Sequence, residues 1–135
     1  MKNKTGIIAI VISVIAIVLS IVNLVPSGGS TDVQYVMYIG TNDKDTDEPV
    51  CTPQEAKELV ENVLLGHFGG YTIQEANGGW EDGGTLYQEY SIVAILSDTN
   101  LEAVHKAADE LCDKLNQKSI LIQTNKTTTE FYEGK

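Results

Sequence analysis

The sequence predicts an α+β fold, in which a single N-terminal transmembrane helix precedes a ferredoxin-like βαββαβ two-layer sandwich. Three observations indicate this fold. An uncharged apolar run opens the chain, two later segments show helical spacing of apolar residues, and four segments rich in branched and aromatic residues surround them. At 135 residues, the chain has room for only one such domain.

The apolar run covers residues 6–25 and contains no charged side chain. Its length matches the roughly 20 residues that an α-helix needs to cross the hydrocarbon of a bilayer. The alternative is a cleaved signal peptide, but the apolar region of such a peptide is usually only about 7 to 15 residues long. We expect a retained anchor at the cell membrane, and a secreted domain if the segment is cleaved.

Two lysines, Lys2 and Lys4, precede the run, and positive residues beside a membrane helix stay in the cytoplasm. This predicts a cytoplasmic stub at 1–5, a transmembrane anchor at 6–25, a linker at 26–32 and an extracytoplasmic domain at 33–135. All 19 acidic residues follow the run, and the chain has no arginine. Phosphate backbones would be repelled, so we expect no nucleic-acid partner.

The outer domain begins with a predicted strand at residues 33–40, rich in aromatic and branched side chains. A helix follows whose start carries three agreeing signals. Thr52 is a cap residue, Pro53 suits the first helical position, and Glu55 completes a capping box. The pair Gly69-Gly70 ends this helix.

A second capping box, Thr99 with Glu102, predicts the start of another helix that ends near Gln117. The last strand begins at Ser119 and extends as far as residues 130–132 in the longest interpretation. The resulting order of strand, helix, strand, strand, helix and strand is that of the split βαβ arrangement, with both helices on one face of the sheet.

Between the helices, residues 71–80 and 85–96 form a predicted hairpin with its turn at Asp82-Gly83. This turn pairs Trp80 with Thr85, Ala76 with Glu89, and Glu75 with Tyr90. Alternation then sorts the side chains onto two faces. The face toward the helices carries Tyr71, Ile73, Leu86, Tyr90, Ile92 and Leu96, and the open face carries Trp80, Tyr87, Glu89, Ser91, Val93 and Ile95.

An open face with aromatic side chains and a carboxylate is a candidate ligand or partner site, because aromatic surface with a few polar groups is typical of such sites. The candidate residues are Trp80, Tyr87, Glu89 and Ser91, with Tyr38 on the first strand. In the structural alternative, the neighbouring glycines only let the hairpin bend and Trp80 only covers the sheet edge.

These residues also carry a resemblance. A Tyr-rich first strand with Gly40, a hairpin with Gly78 or Gly79 before Trp80, and Glu89 with Ser91 resemble a family of uncharacterised bacterial secreted domains, classed only as a domain of unknown function. The resemblance covers roughly residues 33–123. It implies an exported α+β domain and a shared use for Trp80 and Glu89, and it names no activity.

The two cysteines, Cys51 and Cys112, are predicted to form a disulfide, because a lone pair outside the cell is most often bridged. The predicted fold brings the start of the first helix near the end of the second. Two separately buried thiols are the alternative.

We expect no metal, no cofactor and no assigned catalytic residue. Asp43, Asp45 and Asp47 imitate the start of a calcium loop, but Glu48 stands where glycine is required and Gln54 where a bidentate Glu belongs. His67 and His105 are far apart in sequence and do not form a ligand pair.

The sequence therefore favours a membrane-anchored, extracytoplasmic binding or interaction domain for an unknown envelope protein or small ligand. The alternative is a small cell-envelope enzyme that uses Glu89. A homodimer through the open face is a further hypothesis, with a monomer that receives a different partner as its rival.

Overall fold

The computed structural model describes residues 30–134. The predicted stub at 1–5, the anchor at 6–25 and most of the linker lie outside the described residues. Within residues 30–134, no helix is both long and apolar enough to cross a membrane. Ser30–Thr129 form one compact unit, and residues 130–134 adopt neither helix nor strand.

The described residues contain four strands and two helices in the predicted order. They are β1 (Ser30–Gly40), α1 (Pro53–His67), β2 (Thr72–Asp82), β3 (Thr85–Leu96), α2 (Leu101–Lys114) and β4 (Leu121–Thr129). The strands lie in the order β2-β3-β1-β4, and every neighbouring pair is antiparallel. The α+β prediction with a four-stranded sheet is confirmed.

One face of the sheet packs against both helices and forms the core. Tyr35, Met37 and Ile39 of β1 share that face with the inward side chains of β3, Ile92, Ala94 and Leu96. The helices contribute the remaining buried apolar residues, Ala56, Val60, Val63, Leu64, Phe68, Val104, Ala107, Ala108, Leu111 and Leu115. No helix packs on the other face within residues 30–134, so its side chains form the open face.

The start of α1 follows the sequence prediction. The Thr52 side chain accepts a hydrogen bond from the Glu55 amide, and the Glu55 carboxylate accepts one from the Thr52 amide at 2.9 Å. These two bonds satisfy donors that a helix N-terminus otherwise leaves free. Pro53 occupies the first turn, and α1 ends at His67, before the two glycines.

The start of α2 differs from the prediction. Asn100, not Thr99, is the cap, and its Oδ1 accepts from the Ala103 amide at 3.0 Å. Asn caps a helix at least as well as Thr, so the structure uses the residue nearer the helix. The Glu102 side chain instead contacts Lys106 one turn later, at 2.8 Å. The helix also ends earlier than predicted, at Lys114.

The hairpin turn lies one residue later than predicted. Gly83 and Gly84 occupy its centre with φ values of 57° and 86°, a combination that glycine adopts without strain. Trp80 therefore faces Tyr87, and Gly78 faces Glu89. Each predicted partner shifts by two residues, and a shift of two keeps every side chain on its predicted face.

The predicted bounds of β1 and β4 were also wrong. β1 begins at Ser30 and so includes the end of the predicted linker, whereas β4 begins at Leu121 and stops at Thr129. Asp32 stabilises the end of the sheet at which Ser30 pairs with Thr129. Its carboxylate accepts hydrogen bonds from the amides of Val33 and Asp98 and from the Thr129 hydroxyl, and these bonds lower the pKa of Asp32.

Candidate functional site

The strand registers place all five predicted site residues on the open face. Tyr38 of β1 lies opposite Val93 of β3, and Trp80 of β2 lies opposite Tyr87. Because side chains alternate along a strand, the open-face row of β3 is Tyr87, Glu89, Ser91, Val93 and Ile95.

Trp80 and Tyr87 stack directly on each other across the hairpin. Their ring centroids are 4.3 Å apart and the ring planes differ by 13°. Such cross-strand aromatic pairs contribute about 0.5–1.5 kcal/mol beyond the burial of their area. Trp80 nevertheless stays 48% exposed. The pair therefore presents one continuous aromatic surface to solvent.

Glu89 reaches across from β3 to the end of β1. Its Oε2 accepts from the backbone amides of Thr41 and Asn42 at 3.0 and 3.1 Å. Two strand-end donors that face away from the sheet ladder are satisfied in this way. Within residues 30–134, Glu89 Oε1 makes no hydrogen bond and stays free to accept one.

Gly40 is the residue that makes this position of Glu89 sterically allowed. A Cβ atom at Gly40 would lie 2.5 Å from both carboxylate oxygens of Glu89, closer than real atoms approach. Gly78 plays the same part for Ser91, because its Cβ would lie 2.8 Å from Ser91 Oγ. Two glycines thus clear the open face for the two polar side chains that the sequence had singled out.

A cleft of about 550 Å³ opens beside the aromatic pair. This volume lies in the range of small-molecule sites. Three segments line the cleft: the loop after β1 with Asn42, Asp43, Lys44 and Asp47, the hairpin with Trp80, Asp82, Tyr87 and Glu89, and the segment Gln117, Lys118 and Ser119 after α2. Another cavity, of about 420 Å³, lies between the helices and has no aromatic lining.

The loop after β1 is held in place by the segment after α2. Asn116 Nδ2 donates to the carboxylates of Asp43 at 2.9 Å and Asp45 at 3.1 Å, and Gln117 Nε2 donates to the Asn42 carbonyl. The bond from Asn116 is the main reason that the pKa of Asp43 is lowered. The acidic loop is therefore ordered by hydrogen bonds and is not merely solvated.

Asn42, Asn116 and Gln117 are site residues that the sequence analysis missed. One local signal was present. Asn116 follows the end of α2 with a φ of 45°, and asparagine is favoured after a helix because it tolerates that conformation. The contact of Gln117 with Asn42 spans 75 positions of sequence, so no local pattern indicates it.

Tyr38 and Ser91 lie on the open face but do not line the cleft. The Tyr38 hydroxyl donates to Gln123 Oε1 of β4 at 3.0 Å. The five predicted residues thus divide into three that meet at the cleft, Trp80, Tyr87 and Glu89, and two that lie elsewhere on the same face.

The predicted disulfide between Cys51 and Cys112 is wrong. Both residues are free, partly buried thiols. The prediction relied on the fold to bring the start of the first helix near the end of the second. A bridge also requires a short Cα distance and a suitable side-chain direction, which the order of the helices does not determine. Burial raises the pKa of both thiols above the ordinary value of 9.0. Glu55 adds to this at Cys51, and Asp109 and Asp113 add to it at Cys112.

His67 lies beside Glu110 of α2, with Nε2 and Oε2 2.9 Å apart, and this contact lowers the pKa of Glu110. Among residues 30–134, no three His, Cys, Asp or Glu side chains group as metal ligands.

Comparison with solved structures shows the fold alone. A phage SAM lyase in its apo state is 20% identical, with a TM-score of 0.50 over 76% of this chain and 94% of that chain. CutA from Synechococcus elongatus is 13% identical, with a TM-score of 0.48 over 74% of this chain and 80% of that chain. A search of the curated proteins gave no match.

The family comparison covers nearly all of the compact unit. The model described as "Protein of unknown function (DUF3574)" matches residues 34–131, from β1 to just past β4. The match confirms the resemblance to an uncharacterised domain family. This chain belongs to the family of proteins of unknown function DUF3574.

Proposed function

We propose that this protein is a membrane-anchored, extracytoplasmic binding domain whose ligand or partner occupies the cleft beside Trp80. The observation that carries the proposal is the cleft itself, about 550 Å³ in volume and lined by a stacked aromatic pair and several carboxylates. Aromatic surface with a few convergent polar groups is the usual composition of a binding site. The extracytoplasmic location rests on the apolar run at residues 6–25 behind Lys2 and Lys4.

The enzyme alternative through Glu89 has less support. Glu89 Oε2 already accepts two backbone hydrogen bonds that fix the carboxylate at the end of β1, so only Oε1 could take a proton from a substrate. The position of Glu89 instead supports a role in holding the end of β1 at the edge of the cleft.

The proposal is tested by affinity capture from envelope extract with the full chain and two variants. Trp80→Ala removes the exposed aromatic surface of the cleft. Leu86→Ala is the matched control, since Leu86 is 65% exposed on the same hairpin but faces the other side of the sheet. We expect Trp80→Ala to lose a captured molecule that Leu86→Ala keeps. Equal capture by both variants would remove Trp80 from the site.

The anchor is tested separately, by mass spectrometry of cells and medium. We expect the full-length chain in the membrane fraction with its C-terminus outside. Release of a product beginning near Ser30 would contradict the anchor without affecting the cleft.

A further inference from the structure

The aromatic pair offers only its outer surface to a ligand. At a centroid separation of 4.3 Å, nothing fits between the rings of Trp80 and Tyr87, so a ligand of the cleft must lie against the exposed side of the pair. An indole ring face carries negative electrostatic potential and attracts cations more strongly than any other side-chain ring.

Most of the unpaired charges that line the cleft around the aromatic pair are negative. Within residues 30–134, the side chains of Asp47 and Asp82 make no hydrogen bond and no ion pair, and Glu89 Oε1 is also without a donor. Lys44, in contrast, contacts Asp45 at 3.3 Å and also Asn116. Lys118 is exposed and adds a single unpaired positive charge to the lining.

From this combination we propose that the cleft binds a small organic cation, with an alkylammonium group seated against Trp80 and Tyr87 in the cleft that the carboxylates of Asp47 and Asp82 also line. The inference rests on the proposed function, because it names the ligand class of the same cleft. An anionic ligand would meet these carboxylates without an arginine anywhere in the chain to bind it.

Two kinds of molecule carry such a group: free quaternary amines and lysine side chains of a peptide. Both use the same chemistry, positive charge on an aromatic face with carboxylates beside it. A neutral ligand such as a sugar would also stack on Trp80 and donate hydroxyl hydrogen bonds to the carboxylates, so charge is the property that separates the two ligand classes and the one to test.

The test is a titration of the full chain in detergent at constant ionic strength, followed by tryptophan fluorescence and by calorimetry. Trp80 is the only tryptophan of the chain, so the fluorescence reports on the cleft alone. The probes are choline, Nα-acetyl-lysine amide and 3,3-dimethylbutanol, the uncharged isostere of choline. We expect at least one cation to bind about tenfold or more tightly than the isostere. The stronger cation identifies the source of the group.

Charge-removing variants locate the effect. Asp47→Asn and Asp82→Asn should each weaken cation binding by about two- to fivefold, as expected for exposed charge pairs, and leave binding of the isostere unchanged. Asp109→Asn on α2 is the control for the loss of one negative charge, because Asp109 is exposed and does not line the cleft. Circular dichroism confirms that each variant is folded.

Each result decides the inference. Isostere binding as tight as that of both cations would overturn it and leave the proposed binding site intact. Absence of cation binding by both methods up to roughly 10 mM would overturn it as well. Equal affinity capture by Trp80→Ala and Leu86→Ala would instead contradict the proposed function itself. The two failures are therefore distinguishable.

Discussion

At the scale of single residues, Glu89 joins two segments that are distant in sequence, its own strand β3 and the end of β1. Its carboxylate lies over Gly40, accepts from the amides of Thr41 and Asn42, and forms one wall of the cleft. A buried or partly buried amide that loses its acceptor costs about 1–3 kcal/mol, so Glu89 contributes to stability as well as to the shape of the site.

We predict that Gly40→Ala destabilises the fold by about 1–3 kcal/mol, because its Cβ would lie 2.5 Å from the Glu89 carboxylate and displace it from the two amides. Combining Gly40→Ala with Glu89→Ala should cost less than the sum of the two single changes, since no carboxylate remains to clash. Urea unfolding of the four proteins measures this coupling.

Gly66→Ala is the control for the same substitution without a clash. Nothing lies within 4 Å of a Cβ at Gly66, which is in α1. Alanine there should be neutral or stabilising by up to about 1 kcal/mol. Additive losses at Gly40 and Glu89 would show that the two residues do not interact.

The sequence predicted which side chains share the open face, but not their partners. Alternation along β3 is a local property, so Tyr87, Glu89 and Ser91 could be assigned together. The amides of Thr41 and Asn42 lie 48 and 47 positions from Glu89, and only the folded sheet brings them to it.

At the scale of elements, the two helix starts show how far local signals extend. Both carry a Thr followed by a Glu three residues later. The box forms at α1, where Thr52 directly precedes the helix, and not at α2, where Asn100 stands between Thr99 and the first turn and takes the cap. The signal locates a helix start to within a residue or two, and competition between adjacent cap residues decides the rest.

We predict that Thr52→Ala lowers the free energy of unfolding by about 1 kcal/mol, the usual cost of losing a helix cap. Thr99→Ala should change it by no more than about 0.5 kcal/mol, because the Thr99 side chain makes no hydrogen bond to the residues that the structure describes. Thermal unfolding of both variants tests this pair. An equal loss at Thr99 would mean that the second box does form in solution.

At the scale of the whole molecule, the open face exposes several large apolar side chains. Tyr38, Trp80 and Leu121 lie on it with exposures of 39%, 48% and 59%. Uncovered apolar surface of this kind favours association. The order of helices and strands along the chain was predictable from apolar periodicity and turn signals, whereas periodicity says nothing of what the second face contacts.

We predict weak self-association of the outer domain through this face, strengthened by salt. The chain carries a net charge of −10, so two copies repel each other until salt screens the charges. Sedimentation at about 0.1 M and about 1 M salt should show more dimer at the higher salt concentration. Leu121→Lys should abolish the dimer, whereas Leu86→Lys, on the other side of the sheet, should not. A monomer under every condition would leave the face to a different partner.

The central position of β1 has a mechanical consequence. β1 begins at Ser30, directly after the N-terminal segment, and ends two residues before Asn42 at the cleft. A load applied between Ser30 and the loop at Asn42 would therefore run along this one strand. Because β1 pairs with β4 over Ser30–Tyr38 and with β3 over Tyr35–Gly40, the load would shear many hydrogen bonds at once and would not unzip them one after another. In the proposed arrangement, with an anchor before Ser30 and a partner in the cleft, a pull on the partner would meet this resistance to shear.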